Sequence, residues 1–285
     1  GSKREVRMRY LFSFLCVCAL CTFVGVGCDI DDEGGDGGSG GSAGTAGSGG
    51  SGGTGGSPTT RATEFRGSCS EPGDLVAIAD AFVRGGTSAE EDYQNTPYGK
   101  RPNLTIKSVV DLRFSRKIYI VFNLARAPST FDKASLVLTL IRHVESPRDP
   151  LNSSGPQPVD VYGIDDNDDW DPATLAEDAI TWTNAPRNDT SAGNAFKDSP
   201  DGGVPKLISG YDFDLQGDSL VDVSGTKYAL DITEYVRGRI ENDADGKITI
   251  LMAISTRMLD VEGSEFKSLD IPEVEICDRP FLHFE

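Results

Sequence analysis

The chain has 285 residues, a formal net charge of −18 and only two histidines. A chain this acidic lacks the basic phosphate contacts that nucleic-acid binding requires, so we expect no nucleic-acid partner. The sequence also lacks the serine-hydrolase elbow, the His-Glu-x-x-His zinc motif and a phosphate-binding glycine loop, and we therefore expect no enzymatic activity.

The first 27 residues are typical of a secretory signal peptide, which we place at residues 1–27. A short basic region precedes an apolar run that ends in Gly25-Val26-Gly27. Cys28 then stands where a bacterial lipobox has its lipid-modified cysteine, so we expect lipidation at Cys28 and membrane contact through that lipid alone. A transmembrane anchor is the alternative, because the apolar run is near the lower length limit of a spanning helix.

Residues 28–66 are predicted to be a tether. The stretch from Gly34 to Thr60 consists almost entirely of Gly, Ser, Thr and Ala, with no apolar periodicity. Such a composition buries too little surface to offset its ordering entropy, so we expect a flexible, disordered linker. Together with the lipidated cysteine, it predicts a lipid-anchored protein of the cell envelope, at the outer membrane or cell surface.

Two cysteines remain in the part predicted to fold, residues 67–285. Cys69 and Cys277 lie near its two ends, whereas the other four of the six cysteines are Cys28 and three in the apolar run of the signal. An oxidising envelope favours a disulfide between Cys69 and Cys277. Two separate buried thiols are the alternative.

Short strands separated by turn residues dominate the folded part. This pattern predicts a single all-β domain, an antiparallel β-sandwich with at most short helices. One helix is predicted near Ile232–Asn242 with Thr233 as its N-cap, a second helical turn at Ala173–Asp178, and an irregular excursion at Asn188–Asp218. The predicted strands are Leu75–Val83, Leu104–Val110, Arg116–Asn123, Lys133–Val144, Pro158–Ile164, Lys227–Asp231, Lys247–Ser255 and Arg279–Phe284.

Several segments follow one another in a characteristic order. They are Ala79–Arg84, Tyr98-Gly99, Arg116–Leu124, Ala134–Leu138, Val161–Ile164, Asp169-Trp170, Ile180–Pro186, Asp231–Val236 and Pro280–Leu282. In this order they resemble the DNRLRE-type domains, also classed as carbohydrate-binding module family 96. The resemblance implies a jelly-roll sandwich on a secreted or surface protein, and polysaccharides, alginate among them, as ligands of some members.

An acidic run directly after a predicted strand suggests a calcium site. Asp165, Asp166, Asp168 and Asp169 are the candidate ligands, because calcium prefers clustered oxygen ligands. The spacing does not fit an EF-hand, since Trp170 stands where that loop needs glycine. A solvated acidic turn is the alternative, and calcium, if bound, would be structural.

Five residues are candidates for contacting a polysaccharide. Trp170, Tyr93 and Tyr98 lie in polar loops and could stack on sugar rings. Arg84 and Arg116 could bind the carboxylate of an acidic sugar in a bidentate fork, unless they pair with the abundant acidic side chains. Trp182, in the segment Thr181–Pro186, is expected in the core.

These observations favour a surface-anchored, noncatalytic lipoprotein that recognises or adheres to a polysaccharide. A structural or protein-interaction module of the envelope or matrix is one alternative. A polysaccharide lyase is the other, since acidic pairs cannot be selected from so many carboxylates by sequence alone.

Overall fold

The computed structural model describes residues 60–67, 73–144, 157–164, 170–197, 206–213, 225–242, 245–254, 263–272 and 277–285. They all belong to the second of two compact units, Thr54–Glu285. The predicted signal peptide, Cys28, most of the tether and Cys69 lie outside the described residues, as does the candidate calcium run at residues 165–169. Among the described helices, none has the length and apolar character needed to span a membrane.

Within the described residues, the chain forms thirteen strands and one α-helix. In chain order they are β1 Thr60–Arg61, β2 Thr63–Glu64, β3 Leu75–Val76, β4 Ala79–Arg84, β5 Asn103–Lys107, β6 Arg116–Asn123, β7 Ala134–Val144, β8 Gln157–Gly163, β9 Lys206–Phe213, β10 Lys227–Asp231, α1 Thr233–Asn242, β11 Lys247–Ile254, β12 Gly263–Lys267 and β13 Phe281–Phe284. Short 3₁₀ helices occupy Tyr93–Asn95, Leu112–Phe114 and Leu124–Arg126.

The strands form one curled sheet that folds over on itself. Its main path runs β1-β9-β8-β11-β6-β5-β12-β7-β10-β2, with β4 paired to β6 and with β13 paired to β3 and β7. Pairing is antiparallel except between β1 and β9. The long strand β7 joins the layers, because its first half pairs with β10 and β13 and its second half pairs with β12. The prediction of an all-β, jelly-roll-like sandwich is confirmed.

Most strands and the helix lie where the local sequence pattern predicted them. Strand β6 begins and ends at the predicted residues, and α1 begins at Thr233, whose backbone N–H and hydroxyl both donate to the Asp231 carboxylate. The predicted strand Leu75–Val83 is instead split into β3 and β4. The helical turn predicted at Ala173–Asp178 is wrong, since this segment forms only turns. Strand β9 lies within the excursion predicted to be irregular, and β12 was not predicted.

Strand β6 is buried on both faces, which explains its uninterrupted apolar run. Ile118, Ile120 and Phe122 face the main core between the layers. Tyr119 and Val121 face a second core on the opposite side of the sheet. The irregular segment 170–197 covers that side, and both tryptophans of the chain are buried there. Of the predicted polysaccharide ligands, Trp170 lies in this second core.

Candidate functional site

An open groove lies on the outer face of β5, β12 and β7. In β5, Leu104 and Ile106 point into the main core, so the alternating residues Asn103, Thr105 and Lys107 face outward. Together with residues of the neighbouring strands and one loop they line a cavity of about 370 Å³. The lining residues are Phe82, Tyr98, Arg101, Asn103, Thr105, Lys107, Arg116, Arg142, Gly263 and Glu265.

A β-bulge in β7 turns Arg142 toward this groove. Leu136, Leu138 and Leu140 all belong to the main core, and the same alternation would place residue 142 inward. The pairing with β12 shifts here, however: Phe266 is opposite Leu140 and Glu265 is opposite Arg142, which leaves Ile141 as the extra residue. A bulge of this kind re-aims the side chains that follow it.

Three cations occupy adjacent positions across neighbouring strands at one end of the groove. Arg84 of β4 is opposite Arg116 of β6, which is in turn opposite Lys107 of β5. Like charges in directly opposed positions destabilise a sheet. Burial lowers the pKa of Lys107 to about 8, and the charges of Arg116 and Arg84 contribute to this. Burial, with a contribution from Arg84, likewise lowers the pKa of Arg116 to about 10.

These cations are not neutralised by acidic side chains. Within the part of the chain that the structure describes, no carboxylate lies within ion-pair distance of Arg84, Arg101, Lys107 or Arg116. Glu265 is the one acidic residue among the described groove residues, and it forms a two-point pair with Arg142 at 2.9 and 3.0 Å. The groove therefore carries excess positive charge on a chain whose net charge is −18.

The loop that follows the first 3₁₀ helix forms one wall of the groove. The ring of Tyr98 stacks on Phe82 with a centroid distance of 4.8 Å, and Arg101 is exposed beside it. Tyr93, in the 3₁₀ helix that precedes this loop, lies under the guanidinium of Arg84, whose central carbon is 3.5 Å from the ring centroid. This contact leaves Tyr93 holding Arg84 in place, whereas Tyr98 borders the groove itself.

The groove continues into a second cavity of about 660 Å³. The two cavities share Asn103, Arg142 and Glu265, so they form one trough across the sheet. Ile141 and Ile271 give the second part a more apolar lining. The trough therefore combines a part lined by several cations with a more apolar part.

Three carboxylates come together behind the loop that carries Tyr98. One oxygen each of Asp80, Glu177 and Asp270 lies within 4.8 Å of the other two. Burial above all, with Glu177 and Asp270 nearby, raises the pKa of Asp80 to about 8. The amino group of Lys100 contacts Glu177 and lies 3.7 Å from Asp270. These groups are separated from one another by many residues in the chain, and the sequence analysis did not identify them.

The structure corrects the prediction that Trp170 is a sugar-stacking platform. Trp170 is only 1% exposed and packs in the second core together with Trp182. Its indole N–H donates to the Leu175 carbonyl oxygen at 2.7 Å. A ring enclosed in this way presents no face to a sugar.

The other predicted ligand residues lie near one another. Arg116 and Tyr98 line the groove, while Arg84 and Tyr93 lie next to it as a stacked pair. Cys277 is disulfide-bonded. Because Cys69 is outside the described residues, its pairing with Cys277 stays a prediction, as do lipidation at Cys28 and calcium binding by the acidic run Asp165–Asp169.

Sequence reasoning missed Lys107, Arg101 and Arg142 as groove residues. Lys107 was included in a predicted strand, and the alternation Asn103, Thr105, Lys107 between apolar residues was the signal that one strand face is polar. Arg142 could not be found in this way, because its orientation depends on a bulge that only the partner strand reveals.

Comparison with known proteins supports a carbohydrate-binding module. No curated protein matches the chain. Residues 72–201 match the family model of carbohydrate-binding module family 96. This stretch contains most of the groove, and β11 and β12 from beyond it pair directly with strands inside it. The chain therefore carries a carbohydrate-binding module family 96-like domain.

Proposed function

We propose that this domain binds an acidic polysaccharide of the uronate type in the groove described above. The family match supports carbohydrate binding in general. The observation that favours an acidic polymer is the set of four cations, Arg84, Arg101, Lys107 and Arg116, that have no carboxylate partner in the described structure. Guanidinium and ammonium groups bind carboxylates strongly, and arginine does so through a two-point fork.

The charge of the rest of the protein also favours a specific site. With a net charge of −18, the protein repels a polyanion over most of its surface. A polyanion can therefore bind only where local positive charge outweighs this repulsion. Tyr98 at the groove wall supplies a ring next to those cations, and sugar-binding sites commonly combine such a ring with polar groups.

We further propose that the role is recognition or adhesion without catalysis, and that the protein is held at the cell envelope by a lipid on Cys28. The support for the anchor is the sequence of the first 28 residues, followed by the Gly/Ser-rich tether. A single lipid-bearing end and a flexible tether would let the domain reorient over the surface while it engages a long polymer.

A polysaccharide panel tests the ligand class. We expect the purified protein to be retained in affinity gels containing polyuronates such as alginate or pectate, and to pass unretarded through gels of neutral glucans. Retention should weaken strongly between low salt and about 0.5 M salt, because screening shortens the range of the attraction.

The same panel separates the alternatives. Equal retention by neutral and acidic polymers, or by none, would contradict the proposed ligand class, and the second result would favour a structural or protein-contact module. Appearance of unsaturated uronate product, measured by ultraviolet absorbance, would show a lyase and overturn the noncatalytic role.

The anchor is tested with Cys28→Ser. We expect the native protein to fractionate with membranes and the variant to be released into the soluble or secreted fraction, because the variant cannot be acylated. Cys21→Ser, which changes a cysteine inside the predicted signal, is the matched control. Membrane association that survives Cys28→Ser would instead indicate a transmembrane anchor.

A further inference from the structure

The three carboxylates behind the groove wall lie on three separate parts of the fold. Asp80 is in β4, Glu177 is in the irregular segment that covers the second core, and Asp270 follows β12. The backbone N–H of Asp80 donates to Glu177 Oε1 at 2.8 Å, and the backbone N–H of Leu269 donates to Asp80 Oδ2 at 2.6 Å. Backbone contacts thus fix the positions of two of the three carboxylates.

One oxygen of this cluster has no partner. Asp80 is completely buried, yet its Oδ1 makes no hydrogen bond to any described residue. A buried carboxylate oxygen without a partner is costly unless an ion or another polar group satisfies it. The Asp80 carboxylate belongs to the cluster with Glu177 and Asp270, so its buried, unpartnered oxygen can be satisfied by a ligand bound there.

We propose that Asp80, Glu177 and Asp270 form a divalent-cation site, with calcium as the preferred ion. Calcium binds oxygen ligands at about 2.3–2.6 Å, so two ligands on opposite sides of the ion lie about 5 Å apart. Mutual separations within 4.8 Å can therefore be bridged by one ion. Magnesium requires shorter distances and near-octahedral geometry, which suits ligands from three independent segments less well.

The charge balance also fits a divalent ion. In their ionised forms, the three carboxylates exceed the one ammonium group nearby, that of Lys100, by two negative charges. The Lys100 amino group can leave the cluster when an ion binds, because its side chain is 58% exposed and can turn into solvent. The Asp270 side chain is 27% exposed, so water can complete the coordination on that side.

The site adjoins the loop that forms the groove wall. A Cβ added to Gly99 would come within 2.0 Å of the Glu177 carbonyl oxygen, so only glycine permits the loop to approach the site this closely. Tyr98 and Arg101, on either side of Gly99 and Lys100, both line the groove. An ion bound here would hold that wall in position. This last consequence rests on the proposed function, whereas the site itself does not.

Calcium binding is tested on the full protein without any polysaccharide. Calorimetric titration with calcium after treatment with a chelator is expected to show saturable binding. For a micromolar site, 1 mM calcium is expected to raise the melting temperature by roughly 10 °C. Asp270→Asn, at an exposed ligand, should weaken the affinity about tenfold or more, since affinity follows the charge of the ligands. Lys100→Met should strengthen it by removing the competing ammonium.

Two matched controls locate the site. Asp178→Asn changes an exposed carboxylate next to Glu177 but outside the cluster, and it should leave the affinity unchanged. Replacing the acidic run at residues 165–169 by Asn should also leave it unchanged. Absence of saturable calcium binding in both the native protein and Lys100→Met would overturn the proposal, as would binding that Asp270→Asn does not alter.

Discussion

Replacing Lys107 and Arg116 together by Gln is expected to weaken polyuronate binding about 100-fold, or about 2.7 kcal/mol. Both side chains line the groove, and among the described residues neither has a carboxylate partner. Below about pH 8, the pKa to which burial lowers Lys107, both side chains carry a positive charge that the ligand can neutralise, at about 1.4 kcal/mol for each charge-assisted contact. Calorimetric titration with a uronate oligosaccharide at low salt measures the difference.

The same substitution should leave the fold intact. Arg84, Arg116 and Lys107 are cross-strand neighbours of like charge, and removal of two charges relieves that repulsion. The free energy of unfolding is therefore expected to stay within about 1 kcal/mol of the native value. A loss of affinity in a protein of unchanged stability identifies the groove as the binding surface.

A second pair of substitutions controls for the overall charge. Arg126→Gln with Lys197→Gln also removes two positive charges, but from exposed positions that do not line the groove. This pair should change the affinity for the polyuronate by less than about threefold, because salt screens the attraction between an exposed side chain and a ligand bound elsewhere. Equal losses from both pairs would point to diffuse attraction, and no loss from the first pair would exclude the groove as the site.

The fold was predictable where a strand carries its own pattern. The run Ile118–Phe122 defines β6 by itself, whereas β12, with the sequence Gly-Ser-Glu-Phe-Lys, has too few apolar residues to be recognised alone. Strand β12 exists because β5 and β7 pair with it from both sides. Strand β9 was hidden for a related reason, since it lies within a long polar stretch.

The site was predictable in part because strand register brings similar residues together. Arg84 and Arg116 were both chosen as candidate cations from the sequence, and the sheet places them opposite each other. Their contact with a sugar stays a prediction. Trp170 was misjudged because the second core forms only when a distant irregular segment covers the sheet. The cluster of Asp80, Glu177 and Asp270 joins residues about 90 or more positions apart, and no local pattern connects them.

Lys117 shows how that irregular segment is held on the sheet. The residue is completely buried in β6, and its amino group donates to Asn188 Oδ1 at 2.7 Å, to the Asp189 carbonyl oxygen at 3.1 Å and to the Ala195 carbonyl oxygen. It also lies 4.6 Å from the centroid of the Trp182 ring. The Lys117 amino group thus donates a hydrogen bond to each of three acceptors in the covering segment.

Substitution of Lys117 by Met is therefore expected to destabilise the domain by about 3 kcal/mol. The variant preserves most of the side-chain volume but leaves three acceptors without their donor, and each such loss costs about 1–3 kcal/mol before the segment rearranges. Denaturant unfolding at pH 7 measures the effect. Lys197→Met, an exposed lysine of the same segment, is the control and should change stability by less than about 0.5 kcal/mol.

The pH dependence of this difference provides an independent check. Burial lowers the pKa of Lys117 to about 7 from its ordinary value of 10.5. Between these two pH values the unfolded chain binds a proton that the folded chain does not, so the stability of the native protein rises with pH by up to about 1.4 kcal/mol per unit. Lys117→Met lacks this contribution, whereas other titrating groups act in both proteins and cancel. The stability difference should therefore be about 2 kcal/mol larger at pH 9 than at pH 7, and a constant difference would show that the amino group keeps its charge throughout.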